Sequence, residues 1–121
     1  MLVYLFLLLI AAMPSKAPTD LKKGETLYQE LCWQCHGKRA LGDGPLAGSL
    51  PTEPPALAGR YKQAQFSAAV KTIQEGKGSM PAYELLIDKH DSRRIMVWLS
   101  ALDKKTGRQK KREPPSKEGK E

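Results

Sequence analysis

Cys32-Trp33-Gln34-Cys35-His36 is the stretch whose reading decides the fold. Two cysteines spaced i, i+3, with a histidine directly after, form the C-x-x-C-H pattern of covalent c-type haem attachment. Thiols about one helical turn apart lie on the same face, so each can reach one of a porphyrin's two vinyl groups. The next residue, His36, is then held where an imidazole nitrogen can reach the iron. C-x-x-C alone also serves thiol–disulfide exchange and half-sites for zinc. Zinc needs two further ligands, and the chain has no other cysteine and one other histidine, His90. Thiol exchange on this motif is expected in a βαβ setting.

The chain has 121 residues, enough for one domain plus its ends. Its residues are 40% hydrophobic, and many of these sit in the run Leu2 to Met13. The rest has a thin core for its length, and domains of this size often lean on a cofactor. As a helix that apolar run would span about 18 Å, against roughly 30 Å of membrane hydrocarbon. It therefore fits the apolar core of an export signal, with Ser15-Lys16-Ala17 supplying a cleavage site, or a weak anchor if left uncut. The net charge of +7 is concentrated at the other end. From Asp103 onward Lys104, Lys105, Arg108, Lys110, Lys111, Arg112, Lys117 and Lys120 face four acids, with Pro114-Pro115 among them. That composition predicts a disordered tail, either simply solvated or drawn to an acidic partner or an anionic membrane surface. Nucleic acid is a poor partner for an exported chain without a base-reading motif.

Between the ends the periodicity is helical. Asp20 can cap a first helix running to about Cys35, with Leu21, Gly24, Leu27, Tyr28, Leu31 and Cys32 on one side. Glycine inside a helix costs roughly 1 kcal/mol against alanine, so Gly24 implies close approach by another helix. Gly37 to Gly59 is rich in turn formers, notably Gly42-Asp43-Gly44-Pro45 and Pro54-Pro55. A loop of that length needs something to organise it. Phe66, Val70 and Ile73 mark a second helix ended by Gly76. Met80-Pro81 follows in a Gly/Ser/Pro loop, and Asp88 or Asp91 caps a last helix bearing Ile95, Trp98, Leu99 and Leu102. Ile95 and Trp98 suit the Gly24–Tyr28 face. With no useful alternating runs, the fold class is all-α.

From about Thr19 to Leu102 the pattern resembles a class I cytochrome c of the short bacterial kind. The likeness rests on the Gly24–Tyr28 face, Cys32 to His36, Met80-Pro81, and an aromatic, Trp98, in the last helix. Gly42-Asp43-Gly44-Pro45 is similar to the G-D-G-P that follows C-H-G in many bacterial members, although Ala40 stands where members often show glycine. The resemblance implies the cytochrome c fold, with three or four short helices and long loops wrapped around one covalent haem c. It implies thioethers at Cys32 and Cys35, His36 as the proximal ligand, Pro45 as the carbonyl orienting its other nitrogen, and Met80 as the distal ligand. The domain boundaries become an export signal or anchor at 1–17, the cytochrome domain at 18–102 and a basic disordered tail at 103–121. Met96 reads as packing and His90 as exposed surface, with a bis-histidine site its alternative. Arg60 and Tyr61 are candidate partners for haem propionates. Tyr83 either packs near the haem or fills a loop.

With both axial positions filled, the implied function is single-electron transfer between periplasmic or membrane redox partners, without catalysis. A second reading keeps the chemistry but makes the chain the haem subunit of a periplasmic dehydrogenase or terminal oxidase. A third, of another class, is a ligand-binding or peroxidatic haem protein in which Met80 is displaced.

Overall fold

The computed structural model describes residues 19–111. The expected export segment at 1–17 and the end of the basic tail lie outside the described residues. Four α-helices follow in order: α1 (Asp20–Leu31), α2 (Trp33–His36), α3 (Phe66–Glu75) and α4 (Lys89–Ser100). Among the described residues there are no strands beyond two isolated bridges, so the architecture is all-α as expected.

α1 starts one residue earlier than its sequence suggests. Thr19 is the N-cap, its hydroxyl accepting from Lys22 N at 3.3 Å. Asp20, freed from capping, accepts from Arg94 Nε of α4 at 2.9 Å. The helix does not run unbroken to Cys35. It ends at Leu31 and resumes at Trp33, with Cys32 at φ −116° as the joint.

α1 and α4 cross at Gly24. A Cβ there would overlap the Arg94 carbonyl, so glycine is what lets the two backbones touch. One turn along, fully buried Tyr28 meets Trp98 with ring centroids 4.7 Å apart and planes tilted by 40°. Such tilted pairs add to the benefit of burial alone. Ile95, Met96 and Leu99 complete the α4 side of the core, and Phe66 and Ile73 bring α3 to it. Met96 is 2% exposed, which makes it packing.

α3 ends at Gly76, whose N–H donates to Thr72 O. α4 opens at Asp88, whose side chain accepts from Asp91 N at 2.8 Å. Buried Gln74 fastens the two helices by donating to Ile87 O at 2.9 Å and Ser92 Oγ at 2.8 Å.

The chain beyond Leu102 departs from the expected disorder. Asp103 N donates to Arg108 O at 2.7 Å, Gly107 N to Asp103 O at 2.8 Å, and Lys110 N to Ala101 O at 3.0 Å. Asp103 Oδ1 accepts from Lys105 N, Thr106 N and Thr106 Oγ1, and those donors hold its carboxyl below the usual carboxylate range. Gly107, buried at φ 62°, lies on the Arg39 backbone. High charge is compatible with order here because backbone pairing and the Asp103 turn, not apolar burial, hold the segment. The folded unit therefore reaches at least Lys110, not Leu102.

Two outcomes follow from this packing. Gly24→Ala forces α1 off α4 and lowers the unfolding free energy of the matured protein by about 3 kcal/mol, read by denaturant titration. Ending the chain at Leu102 removes the backbone bonds of the 103–110 turn and costs about 2 kcal/mol by the same measurement. A disordered tail would cost nothing.

Candidate haem site

The break in the first helix places the chemistry. Cys32 occupies the joint and Cys35 and His36 the short α2, which Gly37 ends at φ 87°. Tyr28 ties this turn to the helix crossing, because its buried hydroxyl donates to Gly37 O. Burial also raises the Tyr28 pKa, so the hydroxyl keeps its proton.

The long loop closes on the same turn. Gly42 N donates to His36 O at 2.8 Å, Gly44 N to Cys35 O at 3.2 Å and Leu46 N to Gln34 O at 2.9 Å. These bonds supply the partners that carbonyls at a helix end lack. Gly44 must be glycine for this, since a Cβ would strike the Gln34 and Cys35 carbonyls. Further along, Leu57 N and Ala58 N both donate to Ala40 O, at 2.7 and 3.0 Å. Ala40 itself is fully buried at φ 56°, the left-handed conformation that glycine would adopt more cheaply.

His36 is 8% exposed. Its Nδ1 lies 3.2 Å from the carbonyl of Pro55, not Pro45. The expectation for Pro45 fails because the 42–46 stretch is spent on the backbone carbonyls of α2. The chain reaches the imidazole only on its second pass, at Pro54-Pro55, which the bonds of Leu57 and Ala58 to Ala40 hold in place. Burial lowers the His36 pKa, against a weaker raising effect from the Pro55 bond. A neutral ring donating from Nδ1 leaves the Nε2 lone pair free to serve as a ligand, and the bonded carbonyl raises its basicity.

Cys32 and Cys35 are both unbridged and partly buried. Burial, then the neighbouring Cys35, pushes the Cys32 thiol up to about 12. A redox-active thiol is shifted the other way, so thiol exchange does not fit. Zinc fits no better, because among the described residues no three His, Cys, Asp or Glu side chains converge. Two unpaired thiols beside an oriented neutral imidazole are the donor set that haem c requires.

Met80 is partly buried against the core in the loop after α3. Lys77 N donates to Met80 O at 3.0 Å, and Met80 N returns the bond to Lys77 O at 2.9 Å, which pins the turn around the methionine. Tyr83 links this loop to the attachment segment, its hydroxyl donating to Leu31 O at 3.0 Å. Sequence reasoning missed this role as well as that of Pro55. His90 is exposed at the first turn of α4, as expected. Arg60 is exposed, its guanidinium 5.7 Å from the Tyr61 ring centroid, and it forms no ion pair among the described residues.

Comparison with known proteins agrees with this site. Residues 19–99 match the family model described as cytochrome c oxidase, cbb3-type, subunit III. Cytochrome c-551 of Bacillus subtilis is 33% identical over 86 residues, covering 71% of this chain and 67% of its own. The cbb3-type cytochrome c oxidase subunit FixP of Bradyrhizobium diazoefficiens is 28% identical over 94 residues, 77% of this chain but only 31% of that protein. No solved structure matches the chain. The attachment turn, the helix crossing behind it and these relatives agree: the chain belongs to the class I c-type cytochromes, in the family described as cytochrome c oxidase, cbb3-type, subunit III, an electron-transfer haem protein whose covalent haem c goes with its two C-x-x-C-H cysteines, Cys32 and Cys35.

Proposed function

We propose that the chain is an exported monohaem electron carrier whose iron is held by His36 on one side and Met80 on the other, with thioethers at Cys32 and Cys35. The observation that carries this reading is the His36 Nδ1 contact with Pro55 O, which fixes the ring and leaves Nε2 to ligate. When bound, haem c supplies reversible one-electron exchange between ferric and ferrous iron. The residues of the chain set the terms of that exchange. Burial favours the neutral form of His36, and the Pro55 carbonyl orients its ring. Met80 offers a soft thioether that favours ferrous iron and so raises the reduction potential relative to two histidines. With both axial positions filled no substrate has an open site on iron, so the chain is a carrier and not a catalyst.

The donor and acceptor are redox proteins of the periplasm or membrane. A basic rim would speed encounter with acidic partners in a salt-dependent way. Export is supported by the apolar run Leu2 to Met13. Among the described residues no helix is long and apolar enough to cross a membrane. Surface association through the N-terminal segment or the basic tail is supported by the apolar run of the one and the lysines and arginines of the other. A second reading, a haem subunit of an oxidase or dehydrogenase complex, is favoured by the family description and by the likeness to FixP, a cbb3-type oxidase subunit.

Protein matured in a host with cytochrome assembly should show one covalent haem by mass spectrometry and a low-spin spectrum with the thioether-to-iron band. Met80→Ala abolishes that band and opens the iron to carbon monoxide, while haem attachment persists. A high-spin wild type that binds carbon monoxide would instead make this a ligand-binding haem protein.

A further inference from the structure

Tyr83 makes more connections than a loop residue needs. Its N–H donates to Ile73 O at 3.0 Å, joining the loop to α3. Its carbonyl accepts from Leu86 N at 2.9 Å and Ile87 N at 3.0 Å, starting the turn that leads to α4. Its hydroxyl crosses to Leu31 O at 3.0 Å, the last residue of α1 and the one before Cys32. The side chain is partly buried and packs against the core. Glu84 N adds a bond to Gln74 O at 3.2 Å, so the loop is anchored at its far end. The phenol is thus the direct link between the segment that carries Met80 and the segment that carries the thiols.

We propose that Tyr83 is a positioning residue, whose hydroxyl bond to Leu31 O latches the Met80 loop against the haem-attachment helix and so resists displacement of the methionine. The inference rests on Met80 being the distal ligand. For an outside ligand to reach iron, the loop must swing away from α1. The hydroxyl bond is broken in that opening, whereas the backbone bonds of Tyr83 to Ile73, Leu86 and Ile87 can stay with the moving unit. A phenylalanine keeps the ring, its packing and all the backbone bonds, and loses only the latch. Without the latch the population of the open loop should rise roughly three- to tenfold, which corresponds to about 0.65–1.4 kcal/mol and lies within the net contribution of a typical hydrogen bond.

Stopped-flow mixing of the ferric holoprotein with saturating imidazole, followed through loss of the thioether-to-iron band, reads the rate of loop opening. Tyr83→Phe should keep the band at neutral pH and lose it about three- to tenfold faster than wild type. Thr26→Val removes a side-chain hydrogen bond on the exposed side of α1, from Thr26 Oγ1 to Lys22 O. It should match wild type within twofold, which separates the latch from general loss of stability. If Tyr83→Phe lacks the band outright while haem stays attached and helix content is unchanged, the latch is stronger than a single ordinary hydrogen bond and the proposal stands. A Tyr83→Phe rate equal to wild type overturns the latch and leaves Met80 as ligand. A wild type without the band overturns the Met80 assignment, and the latch falls with it.

Discussion

The contact on which the structure depends is the crossing of α1 and α4, where the Gly24 backbone meets the Arg94 carbonyl and Tyr28 meets Trp98. Its consequence is local to the haem site. Tyr28 sits on the helix turn before Cys32, and its hydroxyl holds Gly37, the residue after His36. This buried tyrosine therefore faces the partner helix with its ring, holds the far end of the attachment turn with its hydroxyl, and accepts from Cys32 N at 2.9 Å with its backbone carbonyl at the near end. Burial serves this arrangement in two ways: it strengthens the ring packing, and it raises the hydroxyl pKa, so the donor stays a donor.

The stretch between His36 and Phe66 is long for a connection in so small a domain, and such a stretch ordinarily signals disorder or function. Its order comes from two passes over the attachment turn. The first pass, Gly42 to Leu46, satisfies carbonyls that the short α2 cannot satisfy internally. The second pass, Pro54 to Gly59, is held by Ala40 O at one point and, through Gly59 N, by Leu99 O of α4 at another. The loop is thus secured by hydrogen bonds to backbone that already has a fixed position. Little apolar burial is needed for that, which is how a sequence with few core residues holds a defined site.

Much of this was legible in the residues. The three longer helices, the close approach at Gly24, the Ile95–Trp98 face and the packing role of Met96 all follow from spacing and from the cost of glycine in a helix. What escaped has a common cause. Pro45 and Pro55 are equally able to offer a carbonyl, and which one reaches His36 depends on which pass of the loop is used up on backbone bonds. Asp20 and Thr19 are both good caps, and the choice fell to Thr19 once Asp20 found Arg94, distant in sequence. The turn at Asp103 to Lys110 carries the composition of a disordered tail and is ordered by its own backbone bonds, by the bond of Lys110 N to Ala101 O just past α4, and by close approach of Gly107 to the Arg39 backbone. Composition and periodicity register apolar burial well. They register poorly a segment whose order rests on hydrogen bonds to another segment's backbone.

Met80 lies far along the chain from Cys32 to His36, and no helix is shared between them. Nothing in their spacing keeps the two segments in register. The link is made through Tyr83, which bonds to α3 through its amide, to the start of the α4 turn through its carbonyl, and to the end of α1 through its phenol. An electron carrier works best when its site changes little between oxidation states, since every shift of ligand or loop adds to the barrier for transfer. In a domain with a thin core, stiffness cannot come from packing alone. Here it comes from single residues that bond to several elements at once, Tyr28 behind the attachment turn and Tyr83 behind the methionine loop. Their side chains converge on one short stretch, Leu31 to Gly37, so the segment that bears the thiols is held from two sides.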